Sequence, residues 1–107
     1  MTDEIIVYTK QPGCMYRKKT IPNTLEALQA EVGGFIEPVT IHGATKAIVV
    51  ICDDEGRLKG YEPNCRIAGV DFVGPIVVCG AEGEEFTDFP FSIGLLTNIT
   101  TDAGEAF

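Results

Sequence analysis

The chain has 107 residues, 45% of them hydrophobic, enough for a single domain spanning 1–107 whose core needs neither a metal nor a disulfide. Its formal charge is −8; all eight Lys and Arg residues lie at or before Arg66, whereas residues 67 to 107 carry seven carboxylates. That balance argues against a nucleic-acid binder, which must neutralise phosphates, and the lack of a membrane-length apolar run or a basic leader makes the cytoplasm the expected address, with no membrane partner.

Ile5 to Tyr8 has the β-branched and aromatic character of a first strand, closed by the Pro12-Gly13 turn. The stretch VYTKQPGCMYR, residues 7 to 17, resembles the opening of a glutaredoxin active site with Cys14 as nucleophile. The likeness covers about ten residues, and the Thr-Val-Pro segment of that family has no counterpart. A thioredoxin-type nucleophile also relies on a helix N-terminus beside it, whose dipole and free N–H groups stabilise the thiolate. The next helical pattern starts only near Thr24, and Arg17 stands where a resolving cysteine would be. Cys14 is therefore expected to behave as an ordinary thiol, with a thiol-redox role as a minor alternative. Cys14, Cys52, Cys65 and Cys79 are nowhere closer than 13 positions, which gives neither a CxxC pair nor a metal-knuckle spacing, so no metal and no cofactor is implied.

Residues 16 to 21, YRKKTI, read as a returning edge strand whose Arg17, Lys18 and Lys19 discourage aggregation. PNTLEALQAEVGG, residues 22 to 34, predicts a helix over 24–32, with Asn23 as N-cap, Glu26 completing a capping box, Leu25, Leu28 and Val32 on one apolar face, and Gly33 as the left-handed terminator. Phe35 to Ile41 returns to β character, and Ala47 to Cys52 is a continuous apolar run suited to a strand covered on both faces. Asp53 to Gly56 is expected to be a tight turn, with Gly56 available for positive φ, leading to a strand over Arg57 to Tyr61. A second hairpin is expected from Val73 to Cys79 through Gly80 to Gly83 into Glu84 to Thr87, with Pro75 at a bulge or strand start. Phe91 to Ile99 allows a short C-terminal helix, and the tail TTDAGEAF is expected to fray. The sum is one α+β domain, mainly antiparallel sheet, in which Leu25, Leu28, Val32, Ile48, Val50, Ile51, Ile76 and Val78 should share one core.

IPNTLEALQAEVGGFIEPVTI, ICDDEGRLKGYEPNCR and GVDFVGPIVVCGAEGEEF together resemble successive blocks of domain-of-unknown-function family 3846, small proteins of bacteria, phages and mobile elements. The blocks span about residues 20 to 88. The sequence departs from the family pattern at Asp53, where Asn is usual, at Cys65 inside the Pro-Asn-Arg loop, and at a C-terminus less charged than in the family. The resemblance implies a genomic setting and no assigned activity.

The GYEPNCR loop, residues 60 to 66, is the stretch most like a ligand site, with Tyr61, Asn64 and Arg66 offered together, against the plainer reading of a turn in which Arg66 pairs with a nearby carboxylate. His42 is more simply a solvated loop residue than a general base, and Asp53-Asp54-Glu55 falls short of a calcium loop. Glu82, Glu84, Glu85 and Asp88 form an acidic edge able to meet a basic protein partner. The expected function is a non-catalytic protein-interaction module of a phage or mobile element; the alternative is a small-ligand binder or enzyme using Tyr61 to Arg66. No oligomeric state follows from the sequence.

Overall fold

The computed structural model describes residues 3–41 and 45–106. Among these described residues nine strands and three helices follow in the order β1 (Glu4–Lys10), β2 (Arg17–Pro22), α1 (Leu25–Val32), β3 (Ile36–Ile41), β4 (Ala47–Asp53), β5 (Pro63–Ile67), β6 (Val70–Val73), β7 (Ile76–Glu82), β8 (Glu85–Thr87), α2 (Ile93–Asn98), β9 (Thr100–Asp102) and α3 (Ala103–Ala106). The main sheet runs β2-β1-β7-β4-β3, with β8 also paired to β7, and β6-β5-β9 form a second sheet. Every pairing is antiparallel, so the architecture is α+β. The edges of the main sheet carry the residues such edges tolerate: Arg17, Lys18 and Lys19 on β2, and Pro38 on β3.

The expected single core is in fact two, one on each face of the main sheet. Side chains alternate along a strand. Ile48, Val50, Cys52, Ile76 and Val78 therefore face the second sheet and α2, where they meet Cys65, Ile67, Phe72, Phe89 and Leu96. Val49, Ile51, Val77 and Cys79 face the other way, with Ile5 and Val7, onto Leu28 and Val32 of α1. Ile48 and Ile51, three positions apart on one strand, cannot share a face. Leu25 drops out of both cores. It stands in the first turn and is 53% exposed, so the apolar contact of the eight-residue helix with the sheet rests on Leu28 and Val32.

The helix begins one residue later than the capping pattern suggests. Thr24 is the N-cap, its hydroxyl accepting from the Ala27 amide, because Asn23 is used elsewhere: its Nδ2 donates to the Phe86 carbonyl. Gly33 ends the helix in the left-handed region as expected, with φ 86°. Arg57 to Tyr61 is not a strand. Residues 54 to 60 wind into successive turns, with Lys59 N–H donating to the Glu55 carbonyl and Tyr61 N–H to that of Gly56. The left-handed glycine there is Gly60 (φ 74°), not Gly56. As far as Ala106 the tail is built in, not frayed: β9 pairs with β5, matching Arg66 with Thr101 and Ile67 with Thr100, and α3 follows it.

The expected second hairpin forms with its turn moved to Gly83 and Glu84, because Gly80 to Glu82 continue β7 and pair with β8, and β8 does not lie on an outer edge. Gly80 pairs with Ile48 of β4 on one side and with Thr87 on the other, so β8 occupies the flank of β7 that β1 takes further along. The chain then binds β1, with Phe89 N–H donating to the Ile6 carbonyl and the Asp88 carboxylate accepting from Ile6 N–H at 2.7 Å.

The contrast between Leu25 and Leu28 is measurable. Leu28→Ala should cost about 2–4 kcal/mol, whereas Leu25→Ala should stay within about 0.5 kcal/mol, as read by urea unfolding of each variant.

Candidate functional site

Tyr61, Asn64 and Arg66 do not converge. Pro63 to Ile67 is strand β5 and not a turn, and each of the three side chains is engaged by a different part of the fold. Tyr61 O–H donates to Asp53 Oδ2 at 3.1 Å. Asn64, 1% exposed, donates from Nδ2 to the carbonyls of Lys10 and Gly74, both at 2.8 Å, while its Oδ1 accepts from Lys10 Nζ at 3.0 Å. Arg66 lies on β5 and grips Asp71 of β6, with Nε 2.6 Å from Oδ1, a pair that favours the charged form of both groups. This is the turn-and-pair alternative for Arg66, found on a strand instead of a loop.

The family-like blocks meet at Asp53. Its side chain is 1% exposed and accepts from Lys59 Nζ at 2.7 Å, Tyr61 O–H, and the Glu55 amide at 2.9 Å. Burial alone would raise the Asp53 pKa; the Lys59, Glu55 and Tyr61 hydrogen bonds outweigh it and hold the carboxyl below its usual range. Lys59 also reaches the Gly33 carbonyl, and the Asp54 amide donates to that of Phe35, so this knot ties the end of α1 to the end of β4. Gly34 leaves room for this pair: a Cβ on it would stand 2.6 Å from Asp53 Oδ2 and 2.7 Å from Lys59 Nζ and would force the clamp to shift. The VGG, ICDDEG and GY segments thus come together as a structural clamp. Asp53, Asp54 and Glu55 do not form a cation loop, since Asp53 is turned inward while the other two are exposed. Among the described residues no group of three or more His, Cys, Asp or Glu gathers as a metal site. His42 lies outside the described residues.

A strand, β2, follows Cys14 in place of a helix. Cys14 sits exposed in the β1–β2 loop, its N–H donating to the Gln11 carbonyl, with no helix dipole behind it, so the glutaredoxin geometry is absent. The other three cysteines are buried, and burial pushes their thiols up, Cys52 and Cys65 to about 11 and Cys79 to about 12.

Of the acidic set, Glu82, Glu84 and Glu85 are exposed around the β7–β8 turn, with Glu82 directly opposite Glu85. Asp88 is exposed as well, but its carboxylate stands in for a strand carbonyl on Ile6. A broad trough of about 700 Å3 runs beside this hairpin, with Lys46 and Thr45 on one wall and Glu82, Thr87 and Asp88 on the other.

A groove at the C-terminal end of β1 has almost no signature in the sequence. About 360 Å3 in volume, it is lined by Lys10, Cys14, Met15 and Tyr16 on one side and Ile93, Thr97, Thr100 and Asp102 on the other. Lys10 is 3% exposed and pairs with Asp102 Oδ1 at 3.0 Å. Thr100 O–H donates to the Leu96 carbonyl at 2.7 Å, so across the 2.9 Å contact with Tyr16 the phenol is the donor. Burial drives the Tyr16 pKa well above its usual range and keeps it a neutral donor. The only signal in the sequence was a lysine two residues after the apolar and aromatic run Ile5 to Tyr8.

The family model described as a domain of unknown function, DUF3846, matches residues 2–98. No curated protein and no solved structure matches.

Two outcomes follow from this chemistry. Because the folded pKa of Asp53 lies below 3.8, its contribution is complete above that value and is lost as pH falls through the folded pKa. Asp53→Asn should therefore cost about 1–2 kcal/mol at neutral pH, and the gap to wild type should close on acidification below about pH 4 in parallel urea titrations. Brief iodoacetamide treatment of the native protein should label Cys14 alone, with Cys52, Cys65 and Cys79 reacting only after unfolding, as peptide mass mapping would report.

Proposed function

The chain belongs to the DUF3846 family, and we propose that it is a non-catalytic protein-interaction module, encoded by a phage or mobile element and working in the cytoplasm, that docks a basic partner through the β7–β8 hairpin. The observation that supports this is the pairing of Glu82 with Glu85. Like charges directly opposed across two strands repel, which disfavours the hairpin. None of the ion pairs among the described residues relieves them. A partner bringing Lys or Arg to this turn would turn that repulsion into attraction.

The revised set of docking residues is Glu82, Glu84 and Glu85. Asp88 belongs to the fold, and its loss would unpair Ile6 N–H. The Tyr61, Asn64 and Arg66 side chains already have intramolecular partners, which weakens the alternative ligand reading. No helix among the described residues is long and apolar enough to cross a membrane.

Exposed charges at the rim of an interface act chiefly on the association rate. With a partner isolated from the host, the Glu82→Gln/Glu85→Gln variant should associate several-fold more slowly at low ionic strength and show a flatter salt dependence, with its unfolding midpoint unchanged or raised. Equal association rates for wild type and variant would refute docking at the hairpin.

A further inference from the structure

We propose that the groove at the end of β1 is a binding site for a small aliphatic carboxylate, with the Lys10 ammonium as its anchor and Asp102 as the intramolecular carboxylate that a ligand displaces.

Asn64 sets the position of the ammonium. Its Nδ2 is committed to two backbone carbonyls, which fixes the amide orientation and points Oδ1 at Lys10 Nζ. The ammonium is thus held by a rigid, buried acceptor at the floor of the groove, 3% exposed. A cation so placed needs a counter-anion, because an uncompensated buried charge is strongly destabilising. Asp102 supplies it from the far wall.

Asp102 is poorly suited to be a permanent partner. Its side chain is 64% exposed and it ends a three-residue strand. Replacing it by a ligand carboxylate exchanges one anion for another at the same ammonium, so the charge balance of the floor is unchanged while Asp102 moves into water. Among the described residues Lys10 Nζ has two partners, Asn64 and Asp102, which leaves its third N–H for a second carboxylate oxygen. The rest of the groove suits the body of such a ligand: Met15, 85% exposed, and Ile93, 39% exposed, both line it and offer apolar surface. The Tyr16 and Thr100 hydroxyls do not compete, since they are chained to the Leu96 carbonyl.

The test is titration of the isotope-labelled full-length protein with butanoate and hexanoate, followed by amide chemical shifts. Saturable changes should gather at Lys10, Tyr16, Thr97 and Thr100. Hexanoate should bind more tightly than butanoate, by at most about fourfold per added methylene. Asp102→Asn removes the competing carboxylate and should tighten hexanoate about tenfold. Ile93→Trp, which fills the groove without touching the Lys10 pair, should abolish binding. Hexanol and hexylammonium carry the same chain without the anion and should bind at least about tenfold more weakly; they decide the matter on wild-type protein even where a variant fails to fold. Shifts located elsewhere, hexylammonium binding as well as hexanoate, or no gain in Asp102→Asn would each overturn the proposal. None of these results bears on the β7–β8 hairpin, so this site and the docking reading stand or fall separately.

Discussion

Two adjacent strands, β4 and β7, have to be covered on both faces, and most of the architecture answers that requirement. Their residues from Ile48 to Cys52 and from Ile76 to Cys79 are all buried, and consecutive side chains leave the sheet in opposite directions. One face is closed by α1 through Leu28 and Val32. The other is larger and needs a second sheet, α2, and the Tyr8, Phe89 and Phe91 rings in edge-to-face contact. The tail is structured for the same reason. Leu96 of α2 is fully buried in the same core as Ile76 and Val78, and β9 completes the small sheet.

Covering both faces brings together segments far apart in sequence, and the polar groups trapped at those junctions determine which parts are structural. Asp53 joins the helix end to the end of β4. Asn64 joins the end of β1 to the link between β6 and β7. Asp88 supplies the acceptor that Ile6 lacks where β1 leaves β7. Every buried side-chain nitrogen and oxygen among the described residues has a partner. A polar residue in a family-like block is therefore, in this protein, more often a knot than a site. What remains for binding is the surface these knots leave over: an unrelieved pair of glutamates on a hairpin, and a groove where a buried ammonium meets an exposed carboxylate.

Much of this was legible in the sequence wherever the signal was local. The β1–β2 pair with its basic edge, the helix ended by Gly33, the apolar β4 and the β7–β8 hairpin all follow from residue type and spacing within a few positions. The division into two cores was also implicit, since period-two alternation along Ala47 to Cys52 separates Ile48 from Ile51, but an unbroken apolar run hides that alternation. The role of Asn23 was not legible: the N-cap preference of asparagine is local, and its actual partner, the Phe86 carbonyl, is 63 residues away. The same holds for Asn64, whose turn-like Pro-Asn context gave no sign of a strand buried against Lys10.

By itself the sequence determined the class of fold, the basic edge of β2 and the acidic character of the C-terminal part, because hydrophobic periodicity, turn chemistry and charge act over a few residues. Only the tertiary structure decided which polar side chains are spent on holding the chain together and which still face solvent with an unmet interaction. That depends on the distance between groups brought together by sheet topology: Lys10 lies 54 positions from Asn64 along the chain and 3.0 Å from it in the fold.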